Sequence, residues 1–191
     1  AQCLPERAAN EPDRTAYIFW EGEEKEQRIT YARLYEDACA YAQTLRSLKS
    51  KPGDLIVLVF DHGYEVLAAF WGAIHFGAVP IIFPYFTPDA LPEVYQKSLP
   101  TLTDFADAHV ILTLPELEPA VRQWAAEARC VCVNQSLKET HDIARNDYPL
   151  REGEEIAYLQ LTTGSSGPSK GAMISHRAAL SRMVNFSTAF G

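Results

Sequence analysis

Residues 55–83 read LIVLVFDHGYEVLAAFWGAIHFGAVPIIF, and three periodicities follow one another within them. LIVLVF at 55–60 is an unbroken apolar run of strand length, the pattern of a strand covered on both faces of a sheet. Residues 64–76 are apolar around most of a helical circumference and stop at Gly77, whose left-handed conformation ends helices. AVPIIF at 78–83 is again a strand. Strand, helix and strand in 29 residues predict a βαβ unit.

Working outward, KPGD at 51–54 is a turn that delivers the chain into the first strand. Upstream, AYIFWEG and KEQRITY flank a Gly-Glu turn and predict a hairpin over 16–29, after which Thr30 offers a hydroxyl to cap a helix. In that helix Leu34, Ala38, Tyr41, Ala42, Leu45 and Leu48 recur at helical spacing, so one face is buried. Downstream, helices over 91–105 and 115–128 alternate with strands over 109–113 and 130–134. Right-handed crossovers then make the sheet mainly parallel, with flanking helices. Residues 135–153 are polar and lack a period. They read as a connection between a first α/β subdomain, 1–152, and the start of a second sheet-containing subdomain, 153–191.

The 191 residues are 47% hydrophobic and 22% charged, far from the composition of a disordered chain. Seventeen basic against 25 acidic residues give −8, a field that repels a polyanion, so no nucleic acid is expected as a partner. The most apolar stretch, 65–86, changes period halfway and contains Gly, Pro and His, which predicts no membrane span. The first residues lack the basic-then-apolar order of a secretory signal, so a cytoplasmic location is expected. Of the four cysteines, Cys130 and Cys132 alternate with valines as in a strand. None has zinc-site spacing, and all four read as structural thiols.

The chemistry concentrates further on. IAYLQL at 156–161 is strand-like, TTGSSGPSKG follows at 162–171, and AMISHRAALSRMVNF continues from there. Glycine allows close backbone approach, hydroxyls and amides donate hydrogen bonds, and Lys170 adds charge, a composition suited to an anionic ligand with several oxygens. The bland alternative is a solvated turn between two strands. Neither standard phosphate motif fits. A P-loop needs Lys between Gly and Ser or Thr, whereas Lys170 lies between Ser169 and Gly171. The dinucleotide fingerprint opens a helix, whereas Gly164, Gly167 and Gly171 precede a strand.

The order of residues instead resembles the phosphate-binding loop of the adenylate-forming superfamily: acyl-CoA synthetases, fatty acyl-AMP ligases, peptide-synthetase adenylation domains and luciferases. Their loop reads approximately T-S-G-S-T-G-x-P-K-G, then a short strand and a Thr-His or Ser-His pair. TTGSSGPSKGAMISH matches at Thr162, Gly164, Ser165, Gly167, Lys170, Gly171 and Ser175-His176, with Ser166 for Thr. It departs at Thr163 and Ser169. ITYARLYEDACAYAQTL and GAIHFGAVPIIFP are similar to further family segments, so the resemblance covers most of the chain from about residue 16.

This resemblance implies an ATP-dependent acid-thiol ligase. It would activate a carboxylic acid, a fatty or other acyl acid, as acyl-AMP, release pyrophosphate, and pass the acyl group to a coenzyme A or carrier-protein thiol. ATP and Mg²⁺ are the implied cofactors. Thr162, Thr163, Ser165 and Ser166 are the implied hydroxyl and amide donors to the β and γ phosphates, Gly164 and Gly167 let the backbone curl, and Lys170 supplies the point charge. The family's adenine, ribose, hinge and C-terminal lysine motifs do not occur within these residues. The chain is therefore expected to be an N-terminal fragment of a protein at least twice as long, inactive alone and carrying no catalytic residue or metal ligand of its own.

Two other readings stand beside it: a nucleotide-binding module without catalysis, and an amino-acid adenylation domain of a peptide synthetase. Ser175 reads as a helix N-cap, His176 as a first-turn residue, and Arg177 and Arg182 as a solvated helix face. His62, His75, His109 and His141 share no ligand spacing, and Phe70 and Trp71 read as core.

Overall fold

The computed structural model describes residues 3–21, 25–84, 92–105, 108–125, 129–132, 152–162 and 170–190. Its first element is one the sequence pattern did not announce, a helix α1 (Cys3–Asn10) that buries Leu4. The expected hairpin follows as β1 (Thr15–Glu21) and β2 (Lys25–Thr30), antiparallel with Ile18 opposite Arg28 and Phe19 opposite Gln27. Thr30 caps α2 (Tyr31–Ser47), its hydroxyl accepting the Arg33 N–H at 3.2 Å. Leu34, Ala38, Tyr41, Ala42 and Leu45 are buried as their spacing requires. The hairpin packs on this helix through Tyr17, Phe19 and Ile29, and Trp71 Nε1 donates to the Tyr17 hydroxyl at 3.1 Å.

The βαβ unit comprises β3 (Leu55–Val59), α3 (Tyr64–Phe76) and β4 (Val79–Phe83), with β3 and β4 parallel and Ile56 opposite Pro80. Gly77 ends α3 at φ 89°, a conformation that costs a residue with a Cβ about 1 kcal/mol or more. Further on lie α4 (Pro92–Phe105), β5 (Val110–Thr113), α5 (Glu118–Trp124) and β6 (Arg129–Cys132). The helix α5 is shorter than the expected 115–128: its N–H groups are first taken up in a turn on the Leu114 carbonyl, and Pro119 sits in its first turn.

The unbroken apolar run of β3 is explained by burial on two sides. Ile56 and Leu58 join Val110 and Leu112 beneath α2 and α3, while Val57, Val59 and Ile111 meet Leu99, Val121 and Ala125 of the α4 and α5 side. The sheet order is β6-β5-β3-β4-β7-β8, where β7 (Ile156–Thr162) lies parallel to β4 and β8 (Lys170–Ser175) antiparallel to β7. The sheet is thus mainly parallel with flanking helices, and the segment after the long connection adds two strands to it. The last element is α6 (His176–Phe190). No described helix is long and apolar enough to cross a membrane. The connection expected over 135–153 falls almost wholly outside the described residues.

Candidate functional site

Because β3, β4, β5, β6 and β7 run in one direction, their carboxyl ends share one edge of the sheet. The chain leaves β3 towards β4 and leaves β5 towards β6, so a topological switch point lies between β3 and β5. Open α/β sheets bind their ligands at that edge. Leu159 is opposite Ile81, and counting two residues onward sets Leu161 level with Phe83. Thr162 therefore ends β7 at the carboxyl edge.

Lys170 begins β8 directly opposite Thr162. Two of the residues singled out in the sequence are thereby brought together as a cross-strand pair at the carboxyl edge of the sheet. The other five, Thr163, Gly164, Ser165, Ser166 and Gly167, lie outside the described residues.

The hairpin is anchored by packing of β7 on both faces of the sheet. Leu161 packs with the Val57, Phe83 and Ile111 core, and Tyr158 meets Phe70 of α3 edge to face with centroids 5.6 Å apart. At the other end of the hairpin, the first N–H groups of α6 all find acceptors. His176 N–H donates to the Glu155 carbonyl at 3.0 Å, Arg177 N–H to the Gly153 carbonyl at 2.8 Å, and Ala178 N–H to Ser175 Oγ at 3.2 Å. Ser175 is thus the N-cap its position predicted, and the N-terminus of α6 is spent on this brace rather than open to an anion. His176 is buried as the first residue of α6, and Arg177 pairs with Glu154 at 2.9 Å on the surface. The tie between α6 and residues 153–155 had no signal in the sequence, because its acceptors are mostly backbone carbonyls.

Several ionisable groups with displaced pKa values belong to the α2–α3 interface. Burial lowers His75, which meets Tyr35 edge to face at 5.3 Å, to about 4. Burial raises Tyr41; burial, and then its hydrogen bond to Asp37 at 2.6 Å, raises Tyr64.

A mainly parallel α/β sheet with flanking helices is the architecture of the N-terminal domain of adenylate-forming enzymes. The fatty acyl-adenylate ligase of L. pneumophila, solved with acyl adenylate and pyrophosphate, superposes with a TM-score of 0.79 at 25% identity, over 98% of this chain and 32% of that one. The adenylation domain of a keto acid-selecting peptide-synthetase module gives a TM-score of 0.81 at 23% identity, over 97% and 33%. The family model described as AMP-binding enzyme matches residues 4–191, and the chain belongs to that family.

Among curated relatives, the long-chain-fatty-acid–AMP ligase FadD26 of Mycobacterium tuberculosis is 29% identical over 95% of this chain and 32% of its own length. The acetyl-coenzyme A synthetase of Yersinia pestis is 37% identical over 48% of this chain and 14% of its own. The chain spans at most about a third of the length of these relatives.

Proposed function

We propose that the protein containing this chain is an adenylate-forming acid-thiol ligase, and that the segment beginning at Thr162 and ending at Lys170 binds the triphosphate of ATP. In the reaction a carboxylate oxygen attacks the α-phosphorus, the bond from that phosphorus to the bridging oxygen of the β-phosphate breaks, and pyrophosphate leaves with the electron pair. A thiol of coenzyme A or of a carrier protein then displaces AMP from the acyl carbon.

Thr162, Thr163, Ser165 and Ser166 are the proposed hydroxyl and amide donors to the departing pyrophosphate. Gly164 and Gly167 permit the backbone to approach it, and Lys170 offsets its charge. Mg²⁺ accompanies ATP in this proposal. It commonly takes phosphate oxygens and water in place of a full protein cage, so hydroxyl-rich residues suit it and this segment need supply no carboxylate set. A fatty or other acyl acid is the preferred substrate, because the likeness to a fatty-acid–AMP ligase runs the length of the chain. The acetyl-coenzyme A synthetase likeness covers only half of it. We place the protein in the cytoplasm, and we place the boundary between its first two subdomains at 152/153, just before β7 enters the shared sheet.

The observation that carries the reading is the pairing of Thr162 with Lys170 at the carboxyl edge, in a chain whose family is AMP-binding. The test is Lys170→Ala in the full-length protein, read by ATP–pyrophosphate exchange. Losing a charged hydrogen bond of about 1.5–3 kcal/mol predicts a loss of roughly 10- to 150-fold, with the melting temperature unchanged. Unaltered exchange would reduce the segment to a connection between strands. Exchange by residues 1–191 alone would overturn the expectation that the chain is inactive by itself. A response to amino acids and to no acyl acid would transfer the reading to a peptide-synthetase adenylation domain.

A further inference from the structure

Tyr64 joins the ligand-binding edge to a part of the molecule outside the main sheet. It is the first residue of α3, directly after the turn at 60–63 by which the chain leaves β3. Its hydroxyl donates to Asp37 Oδ2 of α2 at 2.6 Å, and Arg33 Nε donates to the same oxygen at 2.7 Å. The phenol pKa, raised by burial and then by Asp37, keeps that hydroxyl a donor. The ring meets Phe19 of β1 edge to face, with centroids 6.2 Å apart. Gly63, the N-cap of α3, makes no side-chain cap hydrogen bond, so the start of the helix is held from α2 instead.

The turn also lies level with the segment proposed for the triphosphate. Val59 is opposite Phe83, and Leu161 is level with Phe83, so Phe60 is level with Thr162 at the carboxyl edge. One strand, β4, separates β3 from β7, which puts the two positions roughly 10 Å apart at two strand spacings. A nucleoside triphosphate with its phosphates on the segment from Thr162 to Lys170 is long enough to span that distance. Asp61 and His62 of the turn are both exposed, and the switch point between β3 and β5 is beside them.

We infer that Tyr64 and Asp37 are positioning residues for ATP: their hydrogen bond holds the turn at 60–63 where it borders the nucleotide. Through Tyr64, α2 and the β1–β2 hairpin then act on the site from outside the main sheet. The inference rests on the triphosphate site proposed above. Ordering the turn in advance lowers the cost of binding in the ground state and the transition state alike, so losing that order raises KM and spares kcat.

The test is Tyr64→Phe in the full-length protein, with ATP varied in ATP–pyrophosphate exchange. The ring keeps its contact with Phe19, and Arg33 still pairs with Asp37, so the melting temperature should fall by no more than about 4 °C. KM for ATP should rise roughly two- to tenfold with kcat within about twofold. The amides of residues 61–65 should exchange hydrogen faster while those of β3 do not. Asp37→Asn keeps an acceptor for the hydroxyl and should leave KM near the parent value; a rise as large as that of Tyr64→Phe would overturn the inference. So would an unaltered KM in Tyr64→Phe where Lys170→Ala disables exchange. If Lys170→Ala is silent too, the triphosphate reading has failed, and the role for ATP fails with it.

Discussion

The βαβ core around β3 and the hairpin formed by β7 and β8 belong to one sheet but are stabilised by different means. In β3, Ile56, Val57 and Leu58 are wholly buried, with helices on both faces. In β8 and α6, Met173, Val184 and Phe186 are each more than 60% exposed, and what holds the segment is a ladder of backbone hydrogen bonds plus the caps from residues 153–155. The core is shaped by burial of side chains. The outer strand and the helix after it are positioned by backbone hydrogen bonds, while β7 keeps Leu161 and Tyr158 packed inward.

The comparison breaks most visibly if a core truncation proves cheap. Leu58→Ala removes a side chain with no exposure from the α2–α3 side of β3, and the expected loss is about 3 kcal/mol in a urea titration. Next in size is Gly72→Ala. A Cβ at Gly72 of α3 would overlap Tyr41 Cβ and lie 2.8 Å from the Ala38 carbonyl oxygen of α2. That backbone cannot turn aside as a flexible side chain would, so the helices must separate, at a cost of about 2 kcal/mol in the same titration. A gain from the better helix former would show that α2 and α3 are not in close contact there.

A third, smaller effect depends on pH. His75 titrates near 4 in the folded chain against 6.5 for an unperturbed imidazole, because burial disfavours the cation. The unfolded chain therefore takes up the proton first as pH falls. Stability is full above about 6.5, declines between there and about 4, and is level below, by something on the order of 1–2 kcal/mol once partial solvent access is allowed for. His75→Gln should flatten that part of the stability–pH curve. An unchanged slope would assign the loss to other groups.

These sensitivities follow what could be read from the residues beforehand. The run at 55–60, the Gly77 stop, the Thr30 cap and the buried face of α2 were legible because each is a local pattern with one physical cause. The helix α1 was not, since eight residues with a single buried Leu4 and Pro5 in the first turn show little periodicity. Nor was the place of β7 beside β4, which is a non-local choice reached through a long polar connection. At the site, the two strand-like runs flanking TTGSSGPSKG were legible, but their antiparallel pairing, which sets Thr162 opposite Lys170, was not read beforehand. The Gly153 and Glu155 carbonyls that brace α6 could not be foreseen, because a main-chain acceptor has no letter in the sequence.

The smallest expected effect is the sharpest on the comparison. Val184 is 64% exposed on α6, so Val184→Ala in the 191-residue chain removes little buried area and should cost under about 0.5 kcal/mol, against the several-fold larger loss at Leu58. The same substitution in the full-length protein separates two causes of that tolerance. If the helix face is solvent-exposed by nature, the cost stays under about 0.5 kcal/mol; if further polypeptide packs on it, deleting two methyl groups from a covered site should cost about 1–2 kcal/mol. A pair of denaturation curves thus tells whether the hairpin differs from the core in kind, or only in having its second layer supplied from elsewhere in the polypeptide.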